Sequence, residues 1–569
     1  MAKQTTYDNG TLYLNADQKV AILNFSKHYY SNTFELINSD EFLAVVKYYL
    51  TTVKHVANRN EFDNVEPDEY VRVIKAILTH DDENLPYDRS EILASVERLY
   101  TTYRQLLRVS TIDVANNKII TSEFRTIDNQ FQNVVLRTYR GIEERLQGFS
   151  NHIYRQLDAG TNASMLLQHH DWPAPKGYES LKDVEFVDRV LLRPPLMMHT
   201  KSNKREGVFS AVPTNPVHQF AKDVKIGRWY CYPAQIGETL AYVYFNANDL
   251  VNGLSLSNLF QLAPHDVVEG HKPDVILFFG LSKTEGDVSH YYHDEENDLW
   301  VGEVPYNDKT TYFGYMKKMC LTLHNLRQIY HDKLPIHGSM VRIKFTNGLE
   351  RNVVFFGDSG AGKSESLEAL QEIAGDNIVE LETIFDDMGS FTMTGDGKSV
   401  YAQGTETGAF VRLDDLSAAV AFDNMDRGVY LNPERSNARV IIPADQWDRV
   451  IMHHRIDMWV YANNYDSKIG LHRFPDEESA KKVFIAGKRK ALGTTDEVGM
   501  STTFFANPFG PVQEEKRTRP IIDKIFHTLF NKGVYVGEIY THLGNDKSKA
   551  ALHESAQQLL DTLLKDNSK

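Results

Sequence analysis

Apolar positions at helical spacing dominate the first 160 residues or so of the chain. Residues 91–109 and 131–149 show this pattern most clearly, and Asp88 or Ser90 is placed to cap the first of these two segments. Few glycines or prolines interrupt the region. We therefore predict a helical domain at residues 1–160 that packs on the rest of the chain, on a protein partner or on a second copy. A substrate-binding role for Arg137 and Arg140 is the alternative.

The pattern changes after residue 160, where short apolar runs alternate with turn residues. Residues 184–192, 229–233, 240–245, 275–279 and 299–304 are typical of strands. From residue 338 to about 511 strand-like and helix-like segments alternate, and residues 521–530 and 549–564 look helical. We predict an α/β protein with a helical N-terminal domain (1–160), a mixed lobe (161–335), and a nucleotide-binding lobe with a helical tail (336–569).

The most specific motif is Gly357-Asp358-Ser359-Gly360-Ala361-Gly362-Lys363-Ser364, which has the form GxxxxGK[ST]. An apolar run at 353–356 precedes it and a good helix start at 365–370 follows, which is the context that a phosphate-binding loop requires. The glycines let successive backbone N–H groups point at phosphate oxygens, and the helix N-terminus adds partial positive charge. Lys363 would reach the outer phosphates and the Ser364 hydroxyl would hold a divalent cation. A purely structural glycine turn is the alternative.

Composition narrows the class of protein. The chain has 569 residues and a formal net charge of −15, which argues against binding to nucleic acid or to an anionic membrane, although an anionic substrate would need a local basic patch. Its two cysteines, Cys231 and Cys320, exclude a disulfide framework and a cysteine-built zinc site. The N-terminus has no apolar signal-like segment, and no long apolar stretch occurs. We expect a soluble cytoplasmic protein.

Several polar residues flank the loop in an order that suits phosphoryl transfer. The candidates are Tyr312, Lys317, Lys318, His337, Asp386, Asp387 and Arg439. Asp386 or Asp387 ends an apolar strand and would hold a cation that bridges phosphate oxygens, and Arg439 would stabilise charge on the transferring group. A neutral histidine and a deprotonated lysine can ligate Mn²⁺. The alternatives are a solvated helix face for the lysines, a structural histidine, a surface turn for the aspartates and a surface ion pair for Arg439.

Other histidines occur in pairs that suggest a metal site at first sight. These are His169-His170, His290 with His293, and His453-His454. Adjacent side chains on a strand point to opposite faces, so neighbouring histidines do not by themselves form a ligand set. We therefore favour structural roles for these pairs.

Taken in order, the polar residues resemble the ATP-dependent phosphoenolpyruvate carboxykinases. The similarity rests on residues 272–276, Tyr312, Gly314, Met316, Lys317, Lys318, His337, the whole loop 357–364, Asp386, Asp387, Asn437, Arg439 and Val440. It covers roughly residues 200–510, and its specificity lies in the ordered set. The text of the loop is also similar to that of HPr kinase/phosphorylase, a relative that phosphorylates a protein serine.

The resemblance implies a two-lobed P-loop fold and a set of residue roles. Lys318, His337 and Asp387 would ligate Mn²⁺, while Lys363 and Ser364 would hold the phosphates of ATP and a second cation, Mg²⁺. Tyr312, Ser359 and Arg439 would face the substrate and the transferring phosphoryl group, with Lys317 in the same catalytic set. The family decarboxylates oxaloacetate to an enolate, which attacks the γ-phosphate of ATP to give phosphoenolpyruvate.

The chain also departs from the family pattern. Val212 stands where the family has the arginine that binds the substrate carboxylate, and Arg193 or Arg205 is a candidate replacement. Ala409 lies in a segment that lacks the family's phosphate-binding lysine, although Arg412 is close, and the base-binding segment around Asp496 lacks its arginine. Three hypotheses remain: a carboxykinase acting on oxaloacetate, a related kinase with another small-molecule or protein acceptor, and a nucleotide-binding regulatory or scaffold protein. The phosphoryl donor could likewise be pyrophosphate or another nucleotide.

Overall fold

The computed structural model describes residues 6–54, 59–113, 121–151, 158–205, 207–284, 288–358, 360–413, 425–492, 498–545 and 548–565. The chain divides into two compact units. Unit 1 comprises Met1–His169 and Glu185–Leu196, and unit 2 comprises His170–Val184 and Met197–Lys569. The two units meet in the sequence at residues 169/170, 184/185 and 196/197. This division does not test the predicted domain limits at residues 160 and 335, which remain a prediction.

Unit 1 is a mixed α/β unit. Its strands are β1 (Thr6–Asp8), β2 (Leu12–Asn15), β3 (Val20–Asn24), β4 (Leu107–Asp113), β5 (Ala163–Gln168) and β6 (Phe186–Leu192). Its helices are Thr33–Ile37, Asp40–Val53, Pro67–Leu78, Arg89–Gln105 and Thr121–Gln147. The strands follow one another in sheet order, with β3, β4 and β5 parallel. The helix predicted at 131–149 is confirmed, but a purely helical domain is wrong, because the region also builds a sheet.

The segment 91–109 shows why the sheet was missed. Its helix ends at Gln105, and the next residues turn into β4. The buried Arg108 guanidinium donates hydrogen bonds to the carbonyl oxygens of Tyr103 and Arg104, at 2.9 Å each, and of Gly160 at 2.7 Å. It thereby satisfies carbonyls at the helix end, where no intrahelical donor is present. Apolar residues continue at helical spacing beyond Gln105, so the sequence pattern did not reveal that the helix ends there. A single buried arginine stabilises this helix end.

The rest of the chain contributes the strands β7 to β28. They are β7 (Leu196–Met198), β8 (Ser210–Ala211), β9 (Trp229–Ile236), β10 (Thr239–Asn246), β11 (Gln261–Leu262), β12 (Val275–Leu281), β13 (His290–Asp294), β14 (Leu299–Pro305), β15 (Leu334–Phe345), β16 (Glu350–Phe356), β17 (Ile378–Phe385), β18 (Met388–Met393), β19 (Val400–Gly404), β20 (Gly408–Arg412), β21 (Val429–Leu431), β22 (Arg439–Pro443), β23 (His454–Arg455), β24 (Met458–Asn463), β25 (Leu471–Arg473), β26 (Lys488–Leu492), β27 (Val498–Thr502) and β28 (Tyr535–Tyr540). Together with β6, they confirm the five strands predicted between residues 184 and 304.

The helices of unit 2 include two that carry candidate site residues. The helices are Val217–Asp223, Leu250–Ser255, His265–Val268, Phe313–Tyr330, Lys363–Ala374, Trp447–Val450, Glu477–Ala486, Glu515–Asn531 and Lys549–Leu563. Phe313–Tyr330 carries Lys317 and Lys318, and Lys363–Ala374 follows the glycine loop. The helical tail predicted at 521–530 and 549–564 is confirmed. No described helix combines the length and apolar character needed to cross a membrane.

Two large sheets organise unit 2. One has the strand order β9-β10-β12-β14-β13-β8, and the helix Phe313–Tyr330 packs against β14. The other has the order β23-β19-β18-β15-β16-β24-β28-β25, in which β16, β24 and β28 are parallel. Its apolar core includes Phe356, Trp459 and Phe484, all fully buried. The α/β class is therefore confirmed, and the parallel strands set the position of the candidate site.

Candidate active site

The glycine loop joins β16 to the helix that begins at Lys363, as the sequence predicted. Gly362 has a φ of 102°, in the left-handed region that disfavours other residues. A Cβ atom built on Gly362 would also lie 2.6 Å from the Cβ of Thr541. Conformation and space therefore both require glycine immediately before the helix. Ser359, a predicted site residue, lies outside the described residues.

The ends of the two neighbouring parallel strands brace this loop. Asn464 follows β24, and its Nδ2 donates to the Gly360 carbonyl at 2.9 Å. Thr541 follows β28, and its Oγ1 donates to the Ala361 carbonyl at 2.9 Å. The carboxyl edge of a parallel sheet is where ligands bind in open α/β folds. Asn464 and Thr541, at the ends of β24 and β28, therefore hold the loop at the carboxyl edge of the three parallel strands.

A buried ion pair fixes the second residue of the loop. The Arg489 Nε atom lies 2.8 Å from Asp358 Oδ2, and both side chains are buried. Arg489 belongs to the hairpin of β26 and β27. Removing one member of such a pair leaves an uncompensated buried charge, so the pair holds the loop and the hairpin in one arrangement.

Lys363 is positioned over the loop. Its Nζ donates to the carbonyl oxygens of Gly357 at 2.7 Å and of Asp358 at 3.3 Å. Burial lowers the pKa of Lys363, while the carboxylates of Asp387 and Asp358 act in the opposite direction. Ser364, the next residue, is exposed at the helix start. The lysine and the hydroxyl therefore stand where a phosphate chain and its cation would be bound.

Strand β15 brings His337 between the loop and the aspartate pair. The Gly357 N–H donates to the His337 carbonyl at 3.1 Å, and the Gly338 N–H donates to the Asp387 carbonyl at 3.1 Å. Asp386 and Asp387 form the turn between β17 and β18, both of which pair with β15. These pairings bring together three segments that are well separated in the sequence.

The predicted Mn²⁺ ligands converge on Asp387. Lys318 Nζ lies 2.6 Å from Asp387 Oδ2, and His337 Nε2 lies 3.2 Å from Asp387 Oδ1. Asp386 is exposed beside them. Lys318 donates a hydrogen bond directly to Asp387, so these distances are those of an ion pair and a polar contact. The structure therefore brings Lys318, His337 and Asp387 together, and their role as metal ligands stays a prediction.

A backbone hydrogen bond orients the ring of His337. Its Nδ1 lies 2.9 Å from the Ala506 carbonyl, which can only accept a hydrogen bond, so Nδ1 carries a proton. The other ring nitrogen, Nε2, faces Asp387 Oδ1 at 3.2 Å. An outer hydrogen bond to a carbonyl is also the usual way of orienting a metal-binding histidine.

Charge in the site centres on Asp387. Burial opposes its ionisation, but Lys317, Lys318 and His337 together hold the pKa of Asp387 well below its usual range. Burial lowers the pKa of Lys318, although Asp387 opposes this, which brings its amine closer to the neutral form that can ligate a metal. Asp387 is therefore held as a carboxylate by the basic groups around it.

Lys317 has a different environment from its neighbour. Its Nζ lies 2.8 Å from both Asp387 Oδ2 and Glu406 Oε1, and its side chain is 1% exposed. Burial opposes its charge, but Asp387 and Glu406 raise the pKa of Lys317 above its usual value. Burial raises the pKa of Glu406 to about 6. Lys317 thus remains an ammonium that links the two carboxylates.

A second group of residues surrounds the ring of Phe410. The Arg439 guanidinium lies 5.6 Å from the ring centroid and Lys317 Nζ lies 5.5 Å from it, while the Tyr312 ring is 6.0 Å away. Arg412 is the direct partner of Arg439 in the antiparallel pair of β20 and β22. Burial raises the pKa of Tyr312, and Arg439 opposes this by charge and by a hydrogen bond. The predicted residues Tyr312, Arg412 and Arg439 therefore share one surface.

The two arginines proposed to replace the missing family arginine differ in position. Arg205 lies over the rings of Phe209 and Phe509, at 5.3 and 5.0 Å, and Lys318 lies 4.7 Å from the same Phe509 ring. Burial lowers the pKa of Arg205. Arg193 belongs to unit 1, where it pairs with Asp128. Arg205 is therefore the arginine that the structure brings close to Lys318, one of the predicted metal ligands.

Several site residues were missed by sequence reasoning. They are Glu406, Asn464, Arg489, Phe509 and Thr541. Asn464 and Thr541 follow strands that end at the loop, so the rule of the carboxyl edge would have found them once the strand order was known. Glu406 lies in a glycine-flanked segment that the sequence analysis discussed only because it lacks the phosphate-binding lysine of the carboxykinases. We see no local signal for Phe509 or Arg489.

Comparison with known proteins adds no identification. No model of a known protein family matches the chain, and no curated protein matches it. The function is therefore argued from the site geometry and from the ordered motifs that resemble the carboxykinases.

Proposed function

We propose that the chain is an ATP- and Mn²⁺-dependent phosphotransferase with a two-lobed P-loop fold of the phosphoenolpyruvate carboxykinase kind. The observation that carries this proposal is the convergence of Lys318 and His337 on Asp387, one strand away from the glycine loop. A lysine with a lowered pKa is a rare metal ligand, and its combination with this loop is a specific arrangement.

The residues of the chain divide the work between phosphate and metal. The backbone N–H groups of the loop and Lys363 bind the phosphates of ATP, and the exposed Ser364 hydroxyl holds the accompanying Mg²⁺. Lys318, His337 and Asp387 hold Mn²⁺, which when bound supplies Lewis-acid stabilisation of a developing oxyanion. Lys317 keeps Asp387 ionised and in place.

The surface around Phe410 suits the transferring group. Arg439 and Arg412 offer two guanidinium groups from adjacent strand positions, and Tyr312 contributes its hydroxyl. Fixed cations of this kind stabilise the charge of a transferring phosphoryl group without reorganisation. Their shared position favours group transfer over simple nucleotide storage.

The acceptor is a small anion, for which oxaloacetate is the first candidate. Arg205 would bind its carboxylate in place of the arginine that Val212 replaces, because Arg205 stands on the same aromatic ring as Lys318. The second candidate is a kinase that uses the same machinery on another small-molecule or protein acceptor. The Val212 departure favours it, since it removes the family's carboxylate ligand.

The test is ³¹P NMR of the purified protein with ATP, Mn²⁺ and Mg²⁺, with and without oxaloacetate, beside the variant Asp387→Asn. Phosphoenolpyruvate that forms only with oxaloacetate, and only with Asp387 intact, would establish the carboxykinase reaction. ATP that stays intact with oxaloacetate, but is consumed when another acceptor is supplied, would select the second candidate. ATP bound without turnover by any acceptor would overturn the enzymatic proposal in favour of a regulatory role.

A further inference from the structure

A second cluster of metal-ligating side chains lies in unit 2 and shares no residue with the site described above. It consists of His170, His265 and Glu269, whose donor atoms all lie within 4.8 Å of one another. His170 Nδ1 lies 3.1 Å from Glu269 Oε2, and the rings of His170 and His265 are 4.9 Å apart. We propose that these residues form a binding site for a divalent transition metal of the Zn²⁺ class.

Local structure explains why two of these side chains face the same way. His265 opens a one-turn helix directly after Pro264, and the Glu269 N–H donates to the His265 carbonyl at 2.8 Å. Residues four positions apart on a helical turn are neighbours on one face. An imidazole and a carboxylate are thereby presented side by side.

The third ligand comes from a distant part of the chain that is tied to this turn. The Gly270 N–H donates to the Asp171 carbonyl at 2.7 Å, directly beside both His170 and Glu269. The pairing of His169 with His170 in the sequence is therefore irrelevant, because the partners of His170 come from the turn at 265–269. His170 is 2% exposed, so its imidazole is held in place by packing.

Tyr242 contacts both the turn at 265–269 and the segment that follows His170. The Tyr242 hydroxyl donates to the carbonyls of Val268 at 3.2 Å and His271 at 2.8 Å, and the Trp172 ring packs edge-on against the Tyr242 ring at 5.3 Å. Ligand sites built on such supported backbone keep their geometry without a metal, which favours binding.

The donor set selects the class of metal. Two imidazoles and one carboxylate suit Zn²⁺ and similar borderline ions, whereas Mg²⁺ and Ca²⁺ prefer oxygen donors. Donors of a tetrahedral Zn²⁺ at 2.0–2.1 Å stand about 3.4 Å apart, so modest side-chain rotations close this cluster around the ion. His265 is exposed, which gives the ion a path of entry and leaves a fourth position for water.

The experiment is a titration of the full chain with Zn²⁺ by calorimetry and with Co²⁺ by visible absorption, which reports tetrahedral coordination. It uses the variant Asp387→Asn as background, so that the Lys318–His337–Asp387 site does not contribute. In that background we expect one tight site, weakened at least about 100-fold by His265→Ala and by Glu269→Gln, since loss of even an outer-shell partner costs 10–100-fold. His331→Ala removes an exposed histidine that follows the helix Phe313–Tyr330 and should leave the affinity unchanged.

His265 and Glu269 are not in the core, so neither variant threatens the fold. Equal affinity in the background and in both variants would overturn the proposal and leave His170 and Glu269 as a hydrogen-bonded pair. Octahedral rather than tetrahedral Co²⁺ absorption, unchanged by His265→Ala, would do the same. Because the readout is metal binding, a failure here is separate from any failure of the phosphotransferase proposal.

Discussion

Asp387 is the residue on which both lysines of the site depend. It contacts Lys317, Lys318 and His337 within 3.2 Å, and these positive or polarisable groups keep its pKa low despite burial. The two lysines are neighbours in one helix, yet Lys317 gains a second carboxylate from Glu406 and stays charged, whereas the pKa of Lys318 falls. One carboxylate thus contacts two neighbouring lysines whose pKa values shift in opposite directions.

Replacing Lys318 should remove the metal function while sparing nucleotide binding. In Lys318→Ala we expect Mn²⁺-dependent turnover to fall on the order of 100-fold or more, as for other losses of a group that stabilises developing charge. ATP affinity should change little, because Lys363 and the loop are untouched. Turnover against Mn²⁺ concentration and equilibrium ATP binding measure the two effects.

Lys344→Ala is the matched control for that experiment, since Lys344 is an exposed lysine of the strand that carries His337. It should behave as the unmodified protein. Full activity in Lys318→Ala would show that Lys318 is not a ligand of the catalytic metal.

Arg205 should determine the affinity for the acceptor rather than for ATP. A charge-assisted hydrogen bond to a carboxylate contributes roughly 1.5–3 kcal/mol, so Arg205→Gln should raise the KM for a carboxylate acceptor by about 10- to 100-fold. The KM for ATP should stay within about threefold, within the effect of one weak contact. Steady-state kinetics with each substrate varied in turn separate the two, and Lys201→Gln, an exposed neighbour, is the control. An unchanged acceptor KM would remove Arg205 from acceptor binding.

At the scale of elements, the sequence predicted what local pattern determines. The strand, glycine loop and helix around residues 353–370 were correct because the motif requires that order. The first strands of unit 1 were missed because β1, β2 and β3 are only three to five residues long. The first three residues of β4 were taken for helix because Arg108 fixes the end of the preceding helix, and its guanidinium is itself held by the distant Gly160 carbonyl, which no local window of sequence contains.

The partners of the loop were beyond local pattern for the same reason. Asn464 and Thr541 contact the loop only because β24 and β28 are parallel to β16, and strand order is a property of the whole sheet. Phe509 joins Lys318 and Arg205 across more than a hundred residues of chain. The ordered motifs in the sequence therefore predicted which side chains belong to the site, whereas the residues that contact them depend on the strand order of the sheet.

Asp249, the residue before the helix Leu250–Ser255, makes the free energy of unfolding depend on pH. Burial raises the pKa of Asp249 to about 7. Between about pH 4 and pH 7 the folded chain therefore binds one proton more than the unfolded chain, so the stability from this group is lost as pH rises and the loss is complete above pH 7. Each pH unit costs up to about 1.4 kcal/mol, or roughly 4 kcal/mol over the three units.

The substitution Asp249→Asn should remove this loss of stability between pH 4 and pH 7. We expect its free energy of unfolding in urea to equal that of the unmodified protein near pH 4 and to exceed it increasingly up to pH 7, with a constant difference above. Asp266→Asn, at an exposed position, should show no such divergence. A difference that does not vary with pH would mean that Asp249 is ionised in the folded protein.

At the scale of the whole molecule, an acidic chain gathers basic side chains around the glycine loop and Asp387. The net charge is −15, yet the candidate site gathers several basic residues. They are Arg205, Lys317, Lys318, Lys363, Arg412, Arg439 and Arg489. Asp358, Asp386, Asp387 and Glu406 lie among them and offset part of this charge. The remaining positive charge attracts a small polyanion, whereas an extended nucleic acid would meet the acidic remainder of the surface.

Binding of ATP with Mn²⁺ should therefore protect a set of distant segments together. In the proposed complex the backbone N–H groups of the glycine loop would donate to phosphate, and the segments at 463–464 and 541 brace the same loop. At ATP a hundredfold above its Kd, opening that requires release of the ligand is suppressed roughly 100-fold, so amide exchange in all three segments should slow by up to this factor. Hydrogen exchange with mass spectrometry measures it, and Lys363→Ala at the same ATP concentration should abolish the protection. Protection confined to residues 360–366 would mean that the loop binds phosphate without the ends of β24 and β28, and the braced carboxyl edge would then have no part in ligand binding.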